Sequence, residues 1–191
     1  PHLPKSLCCA IMLTLYVQKY DFNSTHQKDC CIFVGKNNKP MDKTEEQKVK
    51  DEQYMRKALV EAEAARAVGE VPVGAVVVCK DRIIARAHNL TETLCDVTAH
   101  AEMQVITAAA NTLGGKYLSD CTLYVTVEPC VMCAGALGWA QLKRIVYGAS
   151  DGKRGFQHFA PQALHPKSTV TAGVLEDECR TLMQQFFQKR R

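Results

Sequence analysis

The segment His100-Ala101-Glu102 and, further along, Pro129-Cys130-Val131-Met132-Cys133 combine residue types that can hold a metal ion and move a proton. One imidazole and two thiolates, from His100, Cys130 and Cys133, suit zinc, whose borderline softness accepts nitrogen and sulfur in a tetrahedral shell. A structural zinc site closes with four protein ligands. Three ligands leave a position for water, whose pKa bound zinc lowers to about 7. Glu102 need not be a ligand and is placed to shuttle a proton. Hydroxide beside a proton shuttle is the chemistry of hydrolytic deamination. A lone Cys-x-x-Cys would say little, because redox pairs and structural zinc knuckles share it. A structural site or a plain thiol pair is therefore the rival reading, and it gives Glu102 nothing to do.

The flanking segments supply elements to position these groups. Cys121–Val127 reads as a buried strand rich in β-branched residues. The run Val131–Ala140 reads as an apolar helix that Pro129 can begin, with both cysteines near its N-terminus, where the helix dipole favours thiolate. Thr98 is expected to cap the helix bearing His100 and Glu102. Residues two apart do not share a helix face, so first-turn geometry and the length of Glu102 must bring both groups to one pocket. Upstream, Tyr54, Met55, Ala58, Leu59, Ala62 and Ala65 form an apolar stripe at helical spacing. Val73–Cys79 and Arg82–His88 predict a hairpin about Lys80-Asp81, a turn without the favoured Asn-Gly. Strands at Arg144–Tyr147 and Thr169–Ala172 and a helix at Leu175–Gln188 complete the pattern. Strands alternating with helices predict an α/β domain whose sheet is largely parallel beyond the hairpin.

Charge indicates a polyanionic partner only weakly. The formal net charge is +4, and residues 1–40, with five Lys and two Asp, contribute +3 of it. Local clusters are more informative: Lys143-Arg144, Lys153-Arg154 and Lys189-Arg190-Arg191 are candidate phosphate contacts, against the ordinary reading of a solvated surface. Phe186 and Phe187, beside the basic end, offer a stacking face for an unpaired base, or one core and one exposed ring.

Residues 1–40 stand apart from residues 41–191 and are expected to be an upstream extension without a part in catalysis. They carry Cys8, Cys9, Cys30 and Cys31. The rival is a targeting segment, with Lys5 before the apolar run Leu7–Leu15, but no small-residue cleavage site follows. That run is far shorter than a membrane span. The remaining cysteines, Cys79, Cys95, Cys121 and Cys179, are expected as reduced thiols, which fits a cytoplasmic protein.

His-x-Glu followed by Pro-Cys-x-x-Cys is the signature of zinc nucleobase deaminases. The likeness extends further, through Gly69-Glu-Val-Pro-Val-Gly-Ala-Val-Val-Val78, His88-Asn89, Thr98-Ala-His-Ala-Glu102, Leu123–Ala136 and Tyr147-Gly-Ala-Ser-Asp151, in that order. From about Asp51 to Arg191 the chain resembles the bacterial tRNA-specific adenosine deaminases, which convert the wobble adenosine of an anticodon to inosine. The resemblance implies a three-layer α/β/α sandwich of the cytidine-deaminase type with a five-stranded mixed sheet, one zinc ion per subunit and a homodimer. It implies a tRNA anticodon stem-loop as substrate, expected to be the ACG anticodon of an arginine tRNA. An anticodon loop already presents unpaired bases, so extracting one costs less than opening a duplex, by a few kcal/mol.

In that family reading Glu102 takes a proton from water and delivers it to purine N1 as hydroxide attacks C6, then helps ammonia depart. Asn89 would hydrogen-bond the flipped purine and Val71 pack against it, with a loop-capping amide as the other role open to Asn89. The backbone at Ala101 and Glu128 would line the pocket, and Asp151 would accept from a ribose 2′-hydroxyl. Arg154 stands where the family commonly carries Thr or Ser. His158 and His165 are expected at the surface or facing RNA, not on the metal. Two other functions share parts of the pattern: a deaminase of free guanine or cytosine, and a non-catalytic zinc RNA-binding module.

Overall fold

The computed structural model describes residues 42–189. The expectations for residues 1–40 and for Arg190 and Arg191 lie outside the described residues. Asp42 is the N-cap of α1 (Lys43–Ala67), whose first turn carries Glu45 and Glu46, charges that suit the positive helix end. Its buried face is the predicted stripe: Met55, Ala58, Ala62 and Ala65 are fully buried, and Tyr54 and Leu59 pack at the margin. The small alanines let the helix settle onto the sheet. A Cβ on Gly74 would stand 2.2 Å from the Ala58 carbonyl oxygen and 2.3 Å from the Ala62 nitrogen.

The sheet follows in the order β2-β1-β3-β4-β5, from β1 (Gly74–Cys79), β2 (Arg82–His88), β3 (Cys121–Val127), β4 (Arg144–Ala149) and β5 (Thr169–Thr171). β1 pairs antiparallel with β2 and β3, while β3, β4 and β5 run parallel. Lys80 and Asp81, at φ 50° and 57°, both take the left-handed conformation of a tight hairpin turn despite being unfavoured there. The helices are α2 (Ala101–Leu113), α3 (Val131–Trp139), the short α4 (Phe156–Phe159), which the sequence pattern does not mark, and α5 (Glu176–Gln188).

Strand alternation builds the three layers. Ala75, Val77, Leu123, Val125, Ile145 and Tyr147 point to one face, against Ala101, Val105 and Leu137 of α2 and α3. Val76, Val78, Tyr124 and Val146 point to the other, against Met55 and Ala58 of α1 and Cys179 of α5. The expected α/β/α sandwich with a five-stranded mixed sheet is what the chain forms. Among the described residues no helix is long and apolar enough to cross a membrane.

One candidate phosphate contact is committed elsewhere. Arg144 forks onto Asp51, with Nη1–Oδ1 at 2.7 Å and Nη2–Oδ2 at 2.6 Å, and Nη2 also donates to Thr171 Oγ1 at 2.8 Å. Tyr124 and Gln47 each donate to Asp51 Oδ1 at 2.9 Å. Burial pushes the Asp51 carboxyl up, but Arg144, Gln47 and Tyr124 together outweigh it and hold it below its ordinary value. A depressed folded pKa stabilises the fold above the unfolded pKa, and this is lost as pH falls through the folded value. Arg144→Ala leaves a buried carboxylate without its cation and is expected to cost about 3 kcal/mol at pH 7. The penalty should shrink toward pH 4 as the stranded carboxyl protonates. Urea melts at the two pH values check this, and a variant as stable as the parent at pH 7 would rule it out.

Candidate metal centre and active site

The topology gathers the site residues at one end of the sheet. β1 starts where β3 ends because the two are antiparallel; β2, antiparallel to β1, ends there too; β4, parallel to β3, also ends there. Val71, Asn89, Glu128, Cys130 and Asp151, each just before or after one of these strand ends, therefore share an edge. This is where open α/β sheets place their ligands.

Two helix N-termini meet at that edge. His100 is the N-cap of α2 and Cys130 the N-cap of α3, both with extended backbone and without side-chain capping bonds. Thr98 is therefore not the cap: its hydroxyl donates to Asp96 Oδ1 at 2.7 Å and its amide to the same atom at 2.8 Å. His100 stands outside the helix and Glu102 in its first turn, so the rule separating residues two apart does not apply to them. Cys133, within α3, is fully buried.

The His100 Nδ1 atom lies 3.5 Å from Cys133 Sγ and 3.7 Å from Cys130 Sγ. The three candidate donor atoms all fall within 4.8 Å of one another. That spacing, with one soft-to-borderline nitrogen and two sulfurs, fits a single tetrahedral cation such as zinc. With protons on these donors, a hydrogen bond from Cys133 and another from His100 hold the Cys130 thiol down at about 4, against the effect of burial. The same hydrogen bond to Cys130, with burial, pushes Cys133 far up, and Cys130 raises His100. Glu102 is 4 % exposed, and burial pushes its carboxyl up to about 7.

A loop from β4 covers the cysteine side. Glu128, expected to contribute backbone, uses its buried carboxylate: Oε2 accepts from the Asp151 amide and Oε1 from the Gln157 amide, each at 3.0 Å. Gly155 bridges to Cys130, and a Cβ there would stand 2.4 Å from Glu128 Oε1. Asp151 Oδ1 accepts from the Lys153 and Arg154 amides at 2.9 and 3.2 Å, so one carboxylate oxygen already serves the turn. Lys153 and Arg154 are exposed, and the Arg154 charge reaches His100 closely enough to oppose its protonation.

On the other side stand Val71, half-buried, and Ala101, fully buried. Asn89 is 5 % exposed and does act on a loop: its Nδ2 donates to Glu70 Oε2 at 3.0 Å and to Thr91 Oγ1 at 2.9 Å. Glu70 is a buried carboxylate that no motif in the sequence marks as functional. The signal was an acid set directly before the apolar run Val71–Val78, a place where burial demands partners.

The remaining candidates divide. Phe186 is 6 % exposed and belongs to the buried face of α5, which removes it as a stacking surface; Phe187 is 47 % exposed and edge-on to it. Helical spacing forces that split, since adjacent residues face about 100° apart. Lys189 is exposed and lines a cleft with Arg66, Gly69 and Phe186. His158 packs edge-on against Phe159, and His165 Nδ1 accepts from the Lys167 amide; neither joins the His/Cys cluster.

The MafB19-like deaminase family model matches residues 49–191. A tRNA-specific adenosine deaminase of Bacillus subtilis is 45 % identical over 146 residues, covering 74 % of this chain and 91 % of that protein. One from Agrobacterium fabrum is 44 % identical over 143 residues, covering 72 % and 94 %. A chloroplastic tRNA(adenine(34)) deaminase of Arabidopsis thaliana is 45 % identical over 166 residues, and this chain spans 13 % of its length. Among solved structures, one from a study of A-to-I editing by tRNA:A34 deaminases at the wobble position superposes at a TM-score of 0.65 with 44 % identity, covering 68 % of this chain and 98 % of that one. A guanine deaminase of Nitrosomonas europaea reaches 0.61 with 25 % identity, covering 71 % and 83 %. With identity of this order over nearly the whole length of its bacterial relatives, this chain belongs to the tRNA-specific adenosine deaminase family.

Proposed function

We propose that this protein hydrolyses the wobble adenosine of a tRNA anticodon to inosine, releasing ammonia, with the ACG anticodon of an arginine tRNA as the expected target. The observation that carries this reading is a buried carboxylate, Glu102, next to three converging metal donors but outside their set. A structural zinc module has no use for such a group. Identity of 44 to 45 % over 91 to 94 % of the length of proteins named for tRNA adenosine, against 25 % to one guanine deaminase and 40 % to another over only 52 % of this chain, favours tRNA over a free base.

His100, Cys130 and Cys133 would hold zinc, which when bound supplies Lewis acidity and a nucleophile at neutral pH. Glu102 accepts the proton of the attacking water and passes it to purine N1 while the new C–O bond forms at C6. It then takes the proton of the new C6 hydroxyl and delivers it to the amine as the C6–N bond breaks, leaving the C6 carbonyl of inosine and ammonia. Val71 and the backbone at Ala101 and Glu128 border the base, and Asn89 contacts the nucleotide. Asp151 keeps Oδ2 for a ribose hydroxyl, and Lys153, Arg154 and Lys189 face phosphates, with Phe187 in place of Phe186 for stacking.

Residues 41–191 form the catalytic domain in this reading, residues 1–40 add nothing to it, and the enzyme works in the cytoplasm. The protein acts as a homodimer, for which the exposed Val131, Met132 and Trp139 of α3, at 43, 38 and 85 % exposure, supply an apolar surface. The test is inosine formation in an arginine anticodon stem-loop, with free guanine and cytosine in parallel. Conversion of the stem-loop adenosine alone is expected. Ammonia from a free base with an unchanged stem-loop would overturn the RNA substrate.

A further inference from the structure

Glu70 is fully buried, and among the described residues no cation pairs with it. An anion held out of water in this way is costly unless hydrogen bonds satisfy it. Glu70 has four. Its Oε1 accepts from the Thr93 amide at 2.7 Å, and its Oε2 from the Glu92 amide at 3.2 Å, Asn89 Nδ2 at 3.0 Å and Thr91 Oγ1 at 3.3 Å. Burial pushes the carboxyl up, but these donors outweigh it and hold it below its ordinary value, so Glu70 is charged at neutral pH.

A charged carboxylate only accepts. The Asn89 amide must therefore turn its NH2 group toward Glu70, and Thr91 Oγ1 takes the second N–H at 2.9 Å. Both amide protons are engaged inward. No donor among the described residues reaches Asn89 Oδ1. Among the described residues no fully buried side-chain nitrogen or oxygen lacks a partner, so Oδ1 keeps some access from outside the core. The Leu90 amide donates to the Ala99 carbonyl at 3.0 Å and closes the loop between them, which sets Asn89 and His100 on either side of its neck.

We infer that Glu70 is a positioning residue that, with Thr91, locks the Asn89 amide so that Oδ1, an acceptor, is presented to a hydrogen-bond donor of the substrate nucleotide. This rests on Asn89 contacting the substrate. Without Glu70 the amide can rotate by 180° and offer its NH2 group, setting donor against donor. Glu70→Gln introduces an N–H that must itself oppose the Thr93 amide or the Asn89 amide.

The test is a double-mutant cycle on the zinc-loaded enzyme, reading kcat and KM on the anticodon stem-loop, with metal content and melting temperature alongside. Asn89→Ala is expected to lower kcat/KM by about thirtyfold or more and Glu70→Gln by about tenfold, as for loss of a buried hydrogen bond. The double variant should be no worse than Asn89→Ala within about twofold, because Glu70 then has nothing to orient. Thr91→Val leaves the Glu92 and Thr93 amides on Glu70, so it serves if Glu70→Gln fails to fold. It should lose about threefold or more in the parent and nothing in the Asn89→Ala background. Equal losses with and without Asn89 would overturn the proposal, showing that Glu70 acts on the loop alone. So would a parent-like kcat/KM in both Glu70→Gln and Thr91→Val. A parent-like Asn89→Ala would remove the premise and the proposal together, and a parent that makes no inosine would instead refute the reaction.

Discussion

Glu102→Ala is expected to fold, to bind zinc as the parent does, and to lose about 10²- to 10⁴-fold in turnover of the anticodon stem-loop, the usual contribution of a positioned acid–base group. In free energy that is about 3 to 5 kcal/mol of transition-state stabilisation. The expectation combines two observations. Glu102 lies outside the three-donor cluster, so its loss leaves the metal donors intact. It is also 4 % exposed, and burial lifts its carboxyl to about 7, while a cation on the neighbouring donors would pull it back down. A carboxyl poised between those influences can both accept and return a proton near neutrality, which the reaction needs twice. Zinc content and single-turnover inosine formation, measured on the same preparation, decide the matter. A fully metal-loaded variant that turns over like the parent would take the role away from Glu102.

The convergence of His100, Cys130 and Cys133 with Glu102 buried beside them was legible in the sequence, because local spacing and residue type mark such a group. So were most elements, since the nearly continuous apolar, β-branched runs in Val73–Cys79 and Cys121–Val127 and the stripe from Met55 to Ala65 report burial directly. Distant pairings were not. Arg144 reads beside Lys143 as part of a basic cluster, yet its partner Asp51 is 93 positions away, and only the folded sheet shows the match. Thr98 looked like a cap because Thr favours that position. Aiming the His100 ring at the cysteines puts His100 there instead, a case of the site overriding local preference. The first turns of α1, exposed and polar, carry no apolar period to mark them. The carboxylates of Glu70 and Glu128 are the more instructive cases, the first unmarked by local pattern and the second expected to contribute only backbone. Each side chain sits beside a known motif, and each is buried to hold a loop against the site.

Cys133→Ala is expected to lose both the metal and the activity, with a fall in melting temperature close to that produced by chelating the parent. The argument rests on where the donors sit. His100 caps α2 and Cys130 caps α3, so one ion bound there would join the N-termini of two helices. Cys133, fully buried beside both, would give the third bond, and without it two donors and an alanine methyl face the same space. Binding that is confined to the folded state stabilises it by RT ln(1 + [L]/Kd), so losing a tightly held ion lowers stability as well as rate. Cys95→Ala is the control, since Cys95 is exposed and outside the cluster. Chelation of the parent should reproduce the Cys133→Ala melting temperature, and added zinc should restore the parent but not the variant. If Cys133→Ala kept a full equivalent of zinc, the third ligand would have to be another group and the open coordination position would have to be relocated. If it lost the ion but kept its rate, the nucleophile would not depend on the metal at all.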